Sequence, residues 1–145
     1  MADEQHRRIV ERWFDELFTQ GNLAAVDELV APDFVSHWPG GSGDSHGREA
    51  LREFLRWYLA TFTDREWTID DIISAGDKAV VRYTGWTTYR GGWLNIPADN
   101  QRVRETGILI YRIEQGRVQE LWSEMSDLLV AMQLGAPPTP KQSSQ

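Results

Sequence analysis

The strongest constraint in this sequence is a change of hydrophobic period near Asp64. Before that point apolar residues recur at helical spacing, and after it β-branched and aromatic residues run in long extended stretches. Ile9, Val10, Trp13, Phe14, Leu17 and Phe18 predict a first helix that stops at Gly21-Asn22. Leu23, Val26, Leu29 and Val30 predict a short second helix ending before Pro32, because the residue before a proline is biased out of the helical region. Phe34 to Trp38 reads as extended, and Pro39 to Ser45 as a flexible loop. Leu51, Phe54, Leu55, Tyr58, Leu59 and Phe62 then restore the helical period in a third helix.

The second half reads as a meander. Trp67–Ser74 and Ala79–Tyr89 are split by the hairpin turn Ala75-Gly76-Asp77-Lys78, and Val103–Ile113 and Arg117–Ser123 flank a second turn at Glu114-Gln115-Gly116. Leu128, Leu129, Met132 and Leu134 suggest a closing helix. Helices in one block followed by one meander imply an α+β layer arrangement, in which the preceding helices cover the apolar face of the sheet. The chain of 145 residues has the length of one domain, assigned to residues 1–136, with the proline-rich polar stretch 137–145 as a C-terminal tail.

Composition removes whole classes of function. The 15 basic and 22 acidic side chains leave a formal charge of −7, which repels phosphate backbones and anionic lipid, so neither nucleic acid nor membrane is expected as a partner. No cysteine is present, which excludes disulfides, thiolate metal sites and cysteine nucleophiles. The three histidines are dispersed without spaced carboxylate partners, so no metal is expected, and no phosphate-cradling glycine loop precedes a helix, so no nucleotide cofactor is either. The polar start leads straight into an amphipathic segment, with cytoplasm the default location. Seven tryptophans exceed what a core of this size needs, which points to an aromatic cavity or subunit interface for some of them.

The residues Gly21-Asn22-Leu23, Asp27-Glu28-Leu29, Ala31-Pro32-Asp33-Phe34-Val35 and His37-Trp38-Pro39 resemble the opening of the SnoaL-like polyketide cyclases, or ester cyclases, of the nuclear-transport-factor-2-like superfamily. The resemblance continues through Ile69-Asp70-Asp71-Ile72-Ile73, Gly76-Asp77-Lys78, Asn95-Ile96-Pro97, Gly107-Ile108, Tyr111-Arg112-Ile113, Glu120-Leu121-Trp122 and Gln133-Leu134-Gly135. It implies a cone-shaped, curved antiparallel sheet packed on three N-terminal helices and enclosing a pocket, a homodimer, and cofactor-free chemistry. In that chemistry a buried aspartate, placed directly after the tryptophan of the last strand, abstracts an acidic C–H proton. Here Ser123 follows Trp122, and a serine hydroxyl is not a general base near neutral pH. A second family aspartate, four residues after the tryptophan, meets Ser126; a one-residue bulge would bring Asp127 into its place.

Three residues are therefore candidate acids or bases. Asp127 is the first choice, with capping of the closing helix as its structural alternative. His37, where the family often carries a histidine before a proline, is either an acid or base or a hydrogen-bonded residue at the pocket mouth. Strand alternation puts Glu105 and Gly107 on one face with Leu109, Leu121 and Ser123, so Glu105 either points into the cavity or pairs with Arg102 or Arg104 in solvent. By the same alternation Val118, Glu120 and Trp122 lie opposite, on an outer face that seeks a second copy. Arg82, a charge among apolar neighbours, is a candidate for holding a substrate carbonyl, pairing with an interior acid or bridging a dimer. Ser123, Trp38, Tyr58, Tyr83, Tyr111 and Trp13 complete the candidate ligand contacts, and Trp57 and Trp86 are further candidates for aromatic lining. The expected function is a cofactor-independent cyclase, isomerase or epoxide-opening enzyme of a biosynthetic pathway, acting on an apolar polyketide-like molecule. A non-catalytic binding protein with the same pocket is the alternative that Ser123 raises.

Overall fold

The computed structural model describes residues 3–136, so the expected tail lies outside the described residues. Helix α1 (Glu4–Arg12) starts where the Asp3 carboxylate accepts hydrogen bonds from the backbone N–H groups of Gln5 and His6, at 2.8 and 3.1 Å. The first helix does not end at Arg12. It widens into a π-helical segment, Trp13–Thr19, in which the Thr19 hydroxyl donates to the Phe14 carbonyl five residues back. Trp13, Phe14 and Leu17 stay buried through the widened turns, and the chain reverses at Gly21, whose φ of 70° suits glycine.

The second helix, α2 (Val26–Leu29), is a single turn following the 3-10 turn Leu23–Ala25. Strand β1 runs from Val30 to His37, earlier than Phe34 where extension was expected, and Pro32 sits inside it where its pairing is irregular between Val30 and Val35. After the short strand β2 (Asp44–His46), helix α3 (Gly47–Thr61) buries Leu51, Leu55 and Tyr58. Phe62, read as the last helical residue, already begins β3 (Phe62–Ala75). Strands β4 (Lys78–Tyr89), β5 (Arg102–Glu114) and β6 (Arg117–Met125) complete the meander, and α4 (Asp127–Gln133) closes it.

The six strands form one curved, unclosed sheet in the order β2-β1-β6-β5-β4-β3. All neighbouring pairs are antiparallel except β1 with β6, which is parallel. The all-antiparallel expectation is corrected there: β1 and β6 are joined through α3 and the whole meander, a connection long enough to bring two strands side by side in the same direction.

Alternation sorts the sheet into two faces. Ala79, Val81, Tyr83, Leu109, Tyr111 and Leu121 point inward onto α1 and the π-helical segment and are buried with Val10, Trp13 and Phe14. One parity expectation fails. The β5–β6 register shifts between Arg112 and Ile113, pairing Ile113 with Val118 but Arg112 with Glu120, so Gln119 is extra and Val118 turns inward, fully buried, instead of outward with Glu120 and Trp122.

Candidate active site

Between the concave face, the π-helical segment, α3 and α4 lies a cavity of about 300 Å³. Trp13 and Phe18 line it from the π-helical segment, Trp38, Phe54, Trp57 and Tyr58 from the mouth and α3, Phe62 and Trp67 from β3, and Trp93 from the β4–β5 connection. That connection is anchored from inside: the buried Tyr89 hydroxyl donates to the carbonyl of Ile96 at 2.8 Å, and Trp57 Nε1 donates to the Gly92 carbonyl at 3.1 Å.

Polar groups on this wall are few. Glu105 on β5 and Tyr83 on β4 meet there, the phenol donating to Glu105 Oε2 at 2.5 Å. Tyr83 pairs across the ladder with Gly107, and Glu105 with Gly85, so the phenol reaches its carboxylate on a diagonal. Gly107 makes that diagonal possible: a Cβ on it would stand 2.7 Å from the Tyr83 ring and hydroxyl. Gly85 does the same for Trp67, whose ring would lie 2.2 Å from an added Cβ. Two strand glycines thus let two aromatic rings lie flat across the sheet under the cavity.

Burial sets the chemistry of the pair. Desolvation pushes the Glu105 carboxyl up to about 7; the Tyr83 hydrogen bond pulls it back in part and the neighbouring Asp127 charge adds to the rise. Glu105 keeps some open surface, and that surface faces the cavity it lines. Tyr83 itself is raised well above the usual phenol range, first by burial and then by Glu105, so it stays a hydrogen-bond donor. Asp127 borders the cavity as an exposed residue at its rim, and partial burial moves its carboxyl upward. Ser123 is buried on the same wall, opposite Leu109 in the register.

The placement differs from expectation at several residues. Glu105, Asp127, Ser123, Trp38, Tyr58, Tyr83 and Trp13 all line the cavity. Trp57 lines it too, but Trp86, half-open to solvent, faces the other way. His37 lies on the outer face, opposite Trp122, with Nε2 2.5 Å from Glu120 and Nδ1 2.8 Å from Asp44 and its ring stacked on Trp122. The family resemblance, a histidine before a proline, implies a place at the pocket, but Ser36 and Trp38 face the cavity and alternation turns the residue between them outward. Arg82 also points outward, 59% exposed and 3.8 Å from Asp70, on the parity opposite Tyr83. Tyr111 faces inward but too deep, packed edge-on to Trp13 in the core with its hydroxyl unpartnered among the described residues.

The bulge that would shift Asp127 is absent, since β6 pairs with β5 in regular register from Leu121 to Met125. Asp127 arrives at the cavity because the chain turns there into α4. It is the first helical residue rather than the cap, which is Ser126.

The SnoaL-like polyketide cyclase family matches residues 8–134. The chain belongs to that family. TsrD from Streptomyces laurentii is 30% identical over 94% of this chain and 100% of its own, with a TM-score of 0.81. IdmH from Streptomyces antibioticus, provisionally named a polyketide cyclase, is 26% identical over 92% of this chain and 99% of its own, at 0.78. A protein of Jannaschia sp. CCS1, provisionally named a SnoaL-like polyketide cyclase, superposes at 0.84 over 95% of this chain and 99% of its own, and at 23% identity it attests the fold alone. No curated protein matches the chain. Within this SnoaL-like frame the sequence reading missed Gly85 and Gly107 as makers of the site. A glycine in the middle of a β-branched run was the available signal.

Proposed function

We propose that this SnoaL-like protein is a cofactor-independent acid–base catalyst in which Glu105 takes a proton from carbon in an apolar, polyketide-like substrate. One observation carries the reading: a carboxyl raised to about 7, held by a Tyr83 hydroxyl, faces an aromatic cavity. A base of that strength is half-ionised near neutral pH, where general-base catalysis is most effective. The Glu105 carboxylate accepts a proton from a carbon next to a carbonyl, the C–H pair becomes the enolate, and the enolate carbon bonds to a second carbonyl carbon of the same molecule. The alkoxide formed then takes the proton back from the Glu105 carboxylic acid, so the ring closes with no net exchange. Tyr83 orients the carboxylate throughout, and Ser123 offers a hydroxyl donor on the same wall. Glu105 thus replaces Asp127, the first choice from sequence, as the base.

The test is deuterium exchange at the α-carbon of 1-tetralone, followed by NMR, with the native protein and Glu105→Gln. Exchange above background that disappears in the variant supports the reading. Binding of the ketone without exchange in either protein favours the second reading, a carrier whose chemistry was lost with the aspartate replaced by Ser123.

We also propose a homodimer through the outer face and a cytoplasmic, biosynthetic setting. Ile73, Val80, Ile110 and Trp122 pair in register across four strands of that face, beside Trp86 and Ile108, which are 41% and 49% exposed. A monomeric mass by light scattering at micromolar concentration would refute the dimer.

A further inference from the structure

The charge inside the cavity is one-sided. Glu105 and Asp127 are acidic, and among the described residues that line the cavity none is lysine, arginine or histidine. Arg65 is the closest candidate to balance them, acting on the cavity residue Tyr58 through space. Its two terminal nitrogens, however, are committed to backbone carbonyls, those of Leu59 and Phe62 at 3.2 and 3.0 Å and of Thr19 at 3.1 Å, and its Nε is buried without a partner among the described residues, so it makes no hydrogen bond to either cavity carboxylate. Glu105 receives one hydrogen bond from the described residues, that of Tyr83. An ionised carboxylate in an apolar cavity with a single donor is under-compensated, and a positive charge brought in by a ligand offsets that deficit. The aromatic walls favour the same sign. Trp38, Phe54, Trp57, Tyr58 and Trp93 present rings around the space, and ring faces attract cations.

We propose that the ligand of this cavity is an apolar ring system bearing a basic nitrogen, bound as the protonated amine, and that carboxylate-bearing analogues are rejected. The inference rests on the cavity being the ligand site, and it adds to that reading the charge of what enters. An anion meets both carboxylates with no cationic side chain to receive it, whereas a neutral ligand fits the walls but leaves Glu105 under-compensated. The selection depends on pH. Glu105 is faced by Tyr83 from β4, Tyr58 from α3, Ser123 from β6 and Asp127 from α4, so Asp127 is the other ionised group on the cavity wall. As pH falls through about 7 Glu105 takes up its proton, and the preference for a cation weakens.

Three naphthalene probes of matched shape test this by calorimetry on the whole protein at pH 8: 2-naphthylmethylamine, 2-naphthalenemethanol and 2-naphthoate. The amine is expected to bind roughly tenfold or more tightly than the alcohol, with naphthoate weakest of the three. In Glu105→Gln/Asp127→Asn the amine should lose its advantage and bind no more tightly than the alcohol. At pH 7 the native protein should release protons on binding the amine and none on binding the alcohol. Equal affinity of amine and alcohol, or naphthoate as tight as either, overturns the charge proposal and leaves the acid–base reading standing. An amine preference that survives the double variant also overturns it, because the rings alone would then be responsible. Failure of all three to bind overturns both readings.

Discussion

Glu105 and Glu120 stand on neighbouring strands of one sheet and differ in the face they occupy. Inside, Glu105 meets aromatic rings and one phenol, and desolvation drives its carboxyl up to about 7. Outside, burial also pushes Glu120 upward, but hydrogen bonds from His37 at 2.5 Å and Arg112 at 3.0 Å outweigh it and hold the carboxyl below its usual range. Two identical side chains thus take opposite shifts because one has cationic partners and the other has not. In the proposed reaction the inner carboxylate is the group that moves the proton, whereas the outer one links strands β1, β5 and β6 through His37 and Arg112.

The largest expected effect is on catalysis. Glu105→Gln should lower α-proton exchange on 1-tetralone by ~10²-fold or more, while Glu120→Gln should leave it within about twofold. The native rate should fall as pH drops through about 7, since the base works ionised. Equal losses in the two variants would erase the distinction between the faces.

Stability sharpens the contrast because the two signs are opposite. The native protein holds the Glu105 proton more tightly than the unfolded chain does, so this group's contribution falls as pH rises from the ordinary 4.5 to about 7 and is flat above. Glu105→Gln removes that burden and should raise stability at pH 8 by on the order of 3 kcal/mol, with little change near pH 4. The Glu120 contribution is present above the ordinary carboxylate value and is lost as pH falls through its lowered one, so Glu120→Gln should destabilise at pH 7 and not at very low pH. Urea unfolding of both variants across the range reads both signs at once.

A smaller effect is expected from the glycines beneath the cavity. Gly107→Ala must lift the Tyr83 ring off β5 and part it from Glu105, at a cost of ~1–3 kcal/mol in stability. The lost hydrogen bond was holding Glu105 down, so the acidic limb of the rate profile should move to higher pH. Gly85→Ala displaces Trp67 instead and should destabilise without moving that limb. If both glycine variants shift the profile alike, Tyr83 is not what tunes Glu105.

These residues also mark what was legible in the sequence. Period and turn chemistry located α3 and both hairpins, because each is a local property of its own segment. Strand parity carried Glu105, Leu109 and Ser123 to one face correctly, since β5 is regular between them. Parity failed at Val118, where a bulge adds one residue and no local signal announces it. The parallel β1–β6 pairing and the reach of α4 to the rim depend on contacts distant in sequence, so Asp127 came to the cavity by a route the sequence did not suggest. Arg82 stands out by its apolar neighbours, of which Ala79, Val81 and Tyr83 face the other side of the sheet, and His37 by the family's histidine before a proline, a position that β1 turns outward.

His37 gives the smallest and most discriminating test. Its hydrogen bond to Glu120, then that to Asp44, raises its pKa above the ordinary 6.5. A raised histidine contributes stability that is fully present below 6.5 and is lost as pH rises through the folded value. The ring is partly solvated, with 27% of the side chain open, so His37→Gln should destabilise by no more than about 1 kcal/mol at pH 6 and by nothing measurable at pH 9. The exchange rate on 1-tetralone and its pH profile should be unchanged, because the sheet lies between the imidazole and the cavity. If His37→Gln instead moves the acidic limb while Glu105→Gln does not, then the titrating base is on the outer face. The cavity carboxylate would be left as a binding group, and the contrast between the two faces would have to be reversed.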